Sequence, residues 1–553
     1  MSHTTVGKYL VARLEQAGLK HVFGVPGDYV LRFYDELIAS NMQVIGTCTE
    51  IGAGYAADAY ARVNGLGCVC VTYCVGGLNV INAIAGAYAE KAPVVVLCGS
   101  PGVSERKRSS LVHHQVRDFH TQLEIYAKVT EAAVALEDAA EAPRLIDQTI
   151  ATCLRTKRPV FIEIPRDMVD TPCAMPHALA PATPHSDAAA LKEAVNEAAE
   201  MLRKAKRPAI LAGVEIHRFG LQQSLVKLVE HSGFPVAATV LGKSVISEVH
   251  PQYAGVFSGA ISPPGVRQTL EGADALLVLG AFMTDLNLGM WTAKLDESRT
   301  INADSQRVMI RHHQYQHIDL GHFIEGLCKT KLHNGPRPRK SVSKASSKPP
   351  AAAKPYRARP AKALTVKRAF QRINELLEES NVVICDVGDS MFSGTELVIR
   401  RRTEFLSPAY YASMGYAIPA ALGAQIRDRK LRPIVFVGDG AFQMTCQELS
   451  TIARHGLHPI VFVLNNKGYT TERVIHDGPY NDIHNWGYHL WPGVLGAGWG
   501  CEVFTEGELE IALQQATDNR SSLSVINLHI DPMDHSQTLD RMGKRILPAR
   551  PRK

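Results

Sequence analysis

Short apolar runs alternate with segments of helical period through most of the chain. VVVLCG (94–99), VFIEIP (160–165), PAILAG (208–213), ALLVLGA (275–281), VVICDVGD (382–389), IVFV (434–437) and IVFVL (460–464) are nearly continuous in apolar character and stop at Gly, Pro, Asn or a charge. Runs of that kind, separated by helices, predict parallel strands covered on both faces. The expected fold class is therefore α/β, with three doubly wound parallel-sheet domains. The first eighteen residues, MSHTTVGKYLVARLEQAG, have no apolar block of the signal-peptide type and predict a short amphipathic helix. No run approaches the roughly 20 apolar residues needed to span a bilayer, so a cytoplasmic protein without a membrane partner is expected.

Length agrees with three units: 553 residues at roughly 100–200 per domain. Two composition breaks divide the chain. One is Pro- and Ala-rich, near 172–187; the other is Pro/Ala/Ser-rich, at 335–360. The expected domains are 1–170, 188–328 and 361–540, with 335–360 as a linker. Charge sharpens this reading. The chain carries +6, but 335–360 holds eight Lys/Arg and no acid, so removing those eight turns +6 into −2. A segment of that composition cannot bury a core. We read it as a solvated linker rather than a nucleic-acid arm, and expect no nucleic-acid partner. The 11 cysteines form no framework of spacings. Cys68, Cys70 and Cys74 lie in or beside a strand-like run and lack a second CxxC or HxxxH, so buried thiols are expected rather than a zinc site.

Candidate chemistry sits where apolar runs stop. IVFV ends in Gly438-Asp439-Gly440-Ala441 and IVFVL ends in Asn465-Asn466-Lys467-Gly468-Tyr469. In doubly wound sheets ligands bind beyond the carboxyl ends of strands. Glycine lets a backbone approach a ligand closely, and the helical stretch after Gly440 can receive a phosphate at its N-terminus. Mg²⁺ favours oxygen ligands, few from protein and the rest from phosphate and water. Asp439, the Asn466 amide and the Gly468 carbonyl meet that need. A lone Gly-Asp-Gly is usually a turn or helix cap; followed 24 residues later by Asn-Asn at the next strand end, it is far more specific. In the N-terminal block, FGVPGDYVL places Asp28 in a Gly/Pro turn, VIGTCTE ends a strand at Glu50, and SSLVHHQ holds His113-His114. Taken singly, these residues are a helix cap, a surface carboxylate and loop histidines.

Taken in this order, the motifs resemble those of the thiamine-diphosphate-dependent 2-oxo acid decarboxylases over nearly the whole chain. The resemblance rests on the GVPGD turn, Glu50, the His-His pair, GDG…NN and GYTTE with Glu472. The His-His pair and Asp28 place it in the pyruvate and indolepyruvate decarboxylase branch rather than among the carboligating synthases of that fold. VTYCVGGLNVINAIAGAYAEKAPVVVLCGSPG, YYASMGYAIPAALGAQ and GDGAFQMT look most like bacterial indolepyruvate/phenylpyruvate decarboxylases.

The resemblance implies thiamine diphosphate and Mg²⁺ as cofactors, and a cofactor that carries the electron-sink chemistry. It implies that Glu50 meets the aminopyrimidine, that Met414 props the cofactor, that the Ala412 carbonyl holds its amino group and that Asp389 lies against it. Gly438, Gly440, Ala441 and Tyr469 would line the diphosphate end. Asp28, His113, His114 and Glu472 would handle the protons of aldehyde release, work that suits groups titrating near neutral pH. Phe392, Met391, Thr471 and the segment 283–291 are candidate pocket walls. From the small Thr471 we expect phenylpyruvate or indolepyruvate, then branched-chain acids; pyruvate is the alternative, and a carboligase of the same fold a further one. The resemblance also implies a homodimer with active sites at the subunit interface, arranged as a dimer of dimers. The middle domain carries no GxGxxG and is expected to hold no nucleotide.

Overall fold

The computed structural model describes residues 4–108, 111–175, 184–333, 355–400 and 405–546. The alternating pattern folds into three α/β units. In the first, six parallel strands lie in the order Gln43–Gly46, His21–Gly24, Gly67–Val71, Val94–Ser100, Val160–Pro165, Ala133–Ala135. Val94–Ser100 is inside the sheet and all seven of its residues are buried, as a run apolar on both faces requires. The amphipathic start forms the helix Val6–Gln16, capped by the Thr5 hydroxyl on the Lys8 N–H. A short antiparallel pairing of Thr4–Thr5 with Pro172–Cys173 ties the two ends of this unit together.

The middle unit departs from the expected parallel sheet. Tyr253–Phe257, Val236–Thr239, Pro208–Ala212, Ala275–Leu279 and Thr300–Ala303 are parallel, but Arg307–Ile310 and His313–Gln316 close the sheet antiparallel. The connections decide this. A parallel return needs about a dozen residues, whereas only Arg311 and His312 separate the last two strands, with Arg311 at φ 56°. In the third unit five parallel strands lie in the order Asn381–Cys385, Arg432–Gly438, Ile460–Asn465, Ser524–His529, Trp499–Val503.

The first and third units share one core. The helix Glu50–Asn64 packs on Ala417–Arg427 so closely that a Cβ on Gly423 would lie 2.0 Å from the Ala56 carbonyl oxygen. The middle unit is fastened to the first by the buried ion pair of Lys91 with Glu215, and to the third by the buried Lys243–Glu248 pair, whose ammonium donates to the Leu397 carbonyl and whose carboxylate accepts the Ile399 N–H. Cys68, Cys70 and Cys74 are buried free thiols, as expected. Most of the basic segment lies outside the described residues. Its last six residues depart from a solvated linker: Tyr356 and Arg359 dock on the third unit, where Arg359 and Arg368 both reach the buried Glu506 carboxylate. The Arg368 guanidinium holds that carboxyl well below the usual range, against the opposing effect of burial. No helix among the described residues is long and apolar enough to cross a membrane.

Candidate active site

The two strands Arg432–Gly438 and Ile460–Asn465 are hydrogen-bonded neighbours, so Gly-Asp-Gly and Asn-Asn end side by side. The three glycines there have different reasons. A Cβ on Gly438 would meet nothing within 4 Å, leaving open space before the helix Asp439–Thr445. One on Gly440 would sit 2.3 Å from the Tyr469 ring. One on Gly468 would sit 2.1 Å from the Asn481 carbonyl, and φ there is 142°.

The Asp439 carboxylate is buried and accepts the N–H groups of Gly440 (2.8 Å) and Gly468 (3.1 Å). Burial pushes its pKa up to about 6, with those N–H groups pulling the other way. Next to it in the loop, the Asn466 side-chain oxygen is buried with no partner, as are both polar atoms of Asn465. Orphaned acceptors are rare in native interiors. A divalent cation would satisfy the Asn466 oxygen and supply the countercharge Asp439 lacks, so the residues fit Mg²⁺. The Gly468 carbonyl accepts the Thr470 N–H and keeps a second lone pair. Arg473 pins the loop, donating to the carbonyls of Asn466 and Lys467 and to Asp482. Ala441 is buried behind this end, and Tyr469 closes over Gly440.

The loop bearing Ala412 and Met414 depends on an aspartate that sequence reasoning passed over. Asp386 is fully buried and its carboxylate accepts the N–H groups of Val387 (3.0 Å), Gly415 (3.1 Å) and Ala417 (2.8 Å). Burial raises its pKa to about 6. It bolts the loop to the strand Asn381–Cys385, and Ala412 is held at φ 58°, a conformation a side chain resists. From the other side Glu90 accepts the N–H groups of Tyr410 and Tyr411. Asp389, expected against the cofactor, accepts the backbone N–H and hydroxyl of Ser536 with its carboxylate, and burial lifts its pKa to about 6. Met391 and Phe392, expected as pocket walls, are buried in the core of the third unit, because the helix Asp389–Gly394 is covered throughout. Thr471 is half-buried, its hydroxyl 3.2 Å from where a Cβ on Gly388 would lie.

At the N-terminal block, Glu50 opens the helix Glu50–Asn64 and accepts the Asn79 amide at 2.6 Å. The turn before it is held by Glu448 of the third unit, whose carboxylate takes the N–H groups of Cys48 and Thr49. Asp28, His113 and His114 come together as one cluster. His113 Nε2 lies 2.8 Å from Asp28 Oδ2, the two imidazoles are 4.8 Å apart between centroids, and His114 Nδ1 is buried without a partner. Tyr29 stacks on His113 at 4.7 Å, and Arg166 lies over the Tyr29 ring with Nη1 4.0 Å from Asp28. Tyr29, Arg166, Asn79 and Glu448 had no local signal in the sequence.

The chain assembles two half-sites. Among the described residues no hydrogen bond or ion pair joins Asp28, Glu50, His113 or His114 to Asp439, Asn466 or Glu472. Glu472 is exposed at the start of Thr470–Ile475, with no side-chain partner there.

Known proteins match this arrangement along the full chain. Family models for thiamine pyrophosphate enzymes (the same cofactor as thiamine diphosphate) match at residues 4–125 for the N-terminal TPP binding domain, 195–326 for the central domain and 386–528 for the C-terminal TPP binding domain. A probable pyruvate decarboxylase of Schizosaccharomyces pombe is 35% identical over 561 residues, covering 100% of this chain and 98% of the relative. Pyruvate decarboxylase isozyme 1 of Saccharomyces cerevisiae is 33% identical over 566 residues, 98% of each chain. Pyruvate decarboxylase 4 of Arabidopsis thaliana is 33% identical over 563 residues, 99% of this chain and 92% of the relative. With both cofactor-binding units matched and the oxygen-donor and Asp-His-His groups in place, the chain belongs to the thiamine-diphosphate-dependent 2-oxo acid decarboxylases.

Proposed function

We propose that this chain removes CO₂ from a short 2-oxo acid, pyruvate before larger acids, and releases the aldehyde at a site completed by a second copy of itself. One observation carries the reading. A buried oxygen-donor site with an unpartnered Asn466 oxygen and a separate Asp-His-His cluster lie on the same chain, and among the described residues no hydrogen bond or ion pair joins them. Asp439, Asn466 and the Gly468 carbonyl would hold Mg²⁺, and the open space at Gly438 would admit a diphosphate. Ala412 and Met414 would border the ring end, and Glu50 would meet the aminopyrimidine. When bound, thiamine diphosphate supplies an electron sink for the carbanion that CO₂ loss leaves behind.

The remaining work falls to side chains. Asp28 and His113, 2.8 Å apart, can share and pass a proton. His114, edge-on to the His113 ring, gives that proton a second station. Glu472, free of partners, would face the substrate carboxylate and make its negative charge unfavourable relative to neutral CO₂. The exposed apolar side chains of Val75, Tyr411 and Met444 lie near the two halves in sequence and support burial against another copy. A dimer that joins the N-terminal half-site of one copy to the C-terminal half-site of the other follows, and pairs of such dimers are compatible with it.

On substrate, the relatives support pyruvate over the phenylpyruvate and indolepyruvate expected from Thr471. The test is aldehyde release from pyruvate, a branched-chain 2-oxo acid, phenylpyruvate and indolepyruvate, with and without thiamine diphosphate and Mg²⁺. Cofactor-dependent release with the highest kcat/KM for pyruvate is expected. A higher value for the aromatic acids would overturn the substrate reading, and no release from folded, cofactor-loaded protein would overturn the reaction.

A further inference from the structure

We propose that Asp28, His113 and His114 form a binding site for a borderline divalent metal ion, Zn²⁺ or Co²⁺, distinct from the oxygen site at Asp439, and that its occupation stops turnover. The three side chains each offer one ligand atom, and these atoms all lie within 4.8 Å of one another. Two imidazole nitrogens and one carboxylate oxygen are a ligand set that Zn²⁺ and Co²⁺ accept with a fourth position left for water. Mg²⁺, which favours oxygen alone, does not. The two sites are thus separated by ligand type: nitrogen and oxygen here, oxygen at Asp439 and Asn466.

Backbone geometry builds the cluster. Consecutive side chains of an extended segment point to opposite sides. His114 is held at φ 69°, which breaks that alternation and leaves its ring 4.8 Å from that of His113. Its buried Nδ1 has no partner. Metal–ligand bonds of about 2.0–2.1 Å at tetrahedral angles put ligand atoms about 3.3 Å apart. The His113–Asp28 pair, now 2.8 Å apart, would open by about half an ångström, and the other separations, none above 4.8 Å, would close by at most about 1.5 Å. Asp28 and His113 are the two that move, and their side chains are 43% and 58% exposed. Among the described residues the cation paired with the cluster is Arg166, 4.0 Å from Asp28, and it also pairs with Glu105. Tyr29, stacked on His113, would hold that ring in place. A bound ion would take the lone pairs and the carboxylate that move protons in the reading above, while leaving the diphosphate end untouched.

The experiment uses the full chain saturated with thiamine diphosphate and Mg²⁺, so that the oxygen site is filled. Co²⁺ is titrated while its visible ligand-field absorption is followed, and Zn²⁺ is then added as competitor. One Co²⁺ per chain with an intense band of low coordination number, displaced by Zn²⁺, is expected, and affinity should fall at least 10-fold in Asp28→Asn and in His114→Ala. Absence of the band, or a band unchanged in both variants, overturns the proposal. Carbethoxylation of His113 in the unmodified protein, read by peptide mass, is independent of variant folding. Zn²⁺ should protect His113, and equal labelling with and without Zn²⁺ counts against the site. Aldehyde release should fall in step with occupancy. The spectral and labelling measurements stand even if the decarboxylase reading fails.

Discussion

Replacing Asp386 by Asn tests whether a buried charge holds the loop of Ala412 and Met414. The carboxylate is fully buried, accepts three backbone N–H groups, and has its pKa raised from 3.8 to about 6 by burial. Because the folded value lies above the unfolded one, its contribution to stability is whole below about pH 4 and is lost as pH rises through 6. A shift of about two units corresponds to about 3 kcal/mol, the price of keeping the charge inside at pH 7.5. The Asn amide oxygen can still accept from Val387 and Gly415, but its NH₂ then faces the Ala417 N–H. That leaves the Ala417 N–H and the new NH₂ as buried donors without an acceptor, a loss of about 1–3 kcal/mol for each group left unpaired. The two effects oppose each other and only one depends on pH. Asp386→Asn should therefore be the less stable protein at pH 4.5, and equal to or more stable than the parent at pH 7.5. The assay is urea unfolding of the cofactor-free protein, followed by tryptophan fluorescence at both pH values. Cofactor affinity should be weakened at either pH, because the loop has lost a bolt. Stability curves that run parallel across this range would refute the reasoning.

Other outcomes follow from the same geometry. Gly440→Ala places a Cβ 2.3 Å from the Tyr469 ring, so the ring must move; a stability loss of about 1–3 kcal/mol and weaker Mg²⁺ binding are expected from melting and metal titration. Lys91→Met leaves Glu215 buried and unpaired between the first and middle units, with an expected loss of about 3–5 kcal/mol in denaturant unfolding. Glu472→Gln should lower kcat at least 10-fold while cofactor affinity, measured by calorimetry, stays within 2-fold, about 0.4 kcal/mol.

The parts of the fold legible in the sequence are those set by local pattern. Runs such as VVVLCG, short, β-branched and apolar on both faces, read as covered strands, and Gly-Asp-Gly and Asn-Asn mark where two such runs stop. What escaped depends on direction or distance. CDVGD holds two aspartates three residues apart; the resemblance singled out Asp389 alone, and nothing local announces that the chain turns Asp386 toward the loop of Ala412 while Asp389 meets Ser536. Met391 and Phe392 flank that turn and their burial follows from packing by the helix Gln537–Ile546, far along the chain. Arg166 and Glu448 reach Asp28 and the turn at Cys48 from remote strands and helices, with no local signature to announce them. The antiparallel end of the middle sheet was hidden because its two strands have only 4 residues each, too few to show a period, and the last, HQYQ, is polar.

The most direct test of the account is complementation between two inactive variants, Glu50→Gln and Asp439→Asn, co-expressed with different tags and purified as mixed dimers. If each site joins the Glu50 half of one copy to the Asp439 half of another, one of the two sites in a mixed dimer is intact. Aldehyde release from pyruvate should then return to about half the parental rate per mixed dimer, while each variant alone stays inactive. Mixed dimers as inactive as either variant would place both halves within one copy and contradict the account.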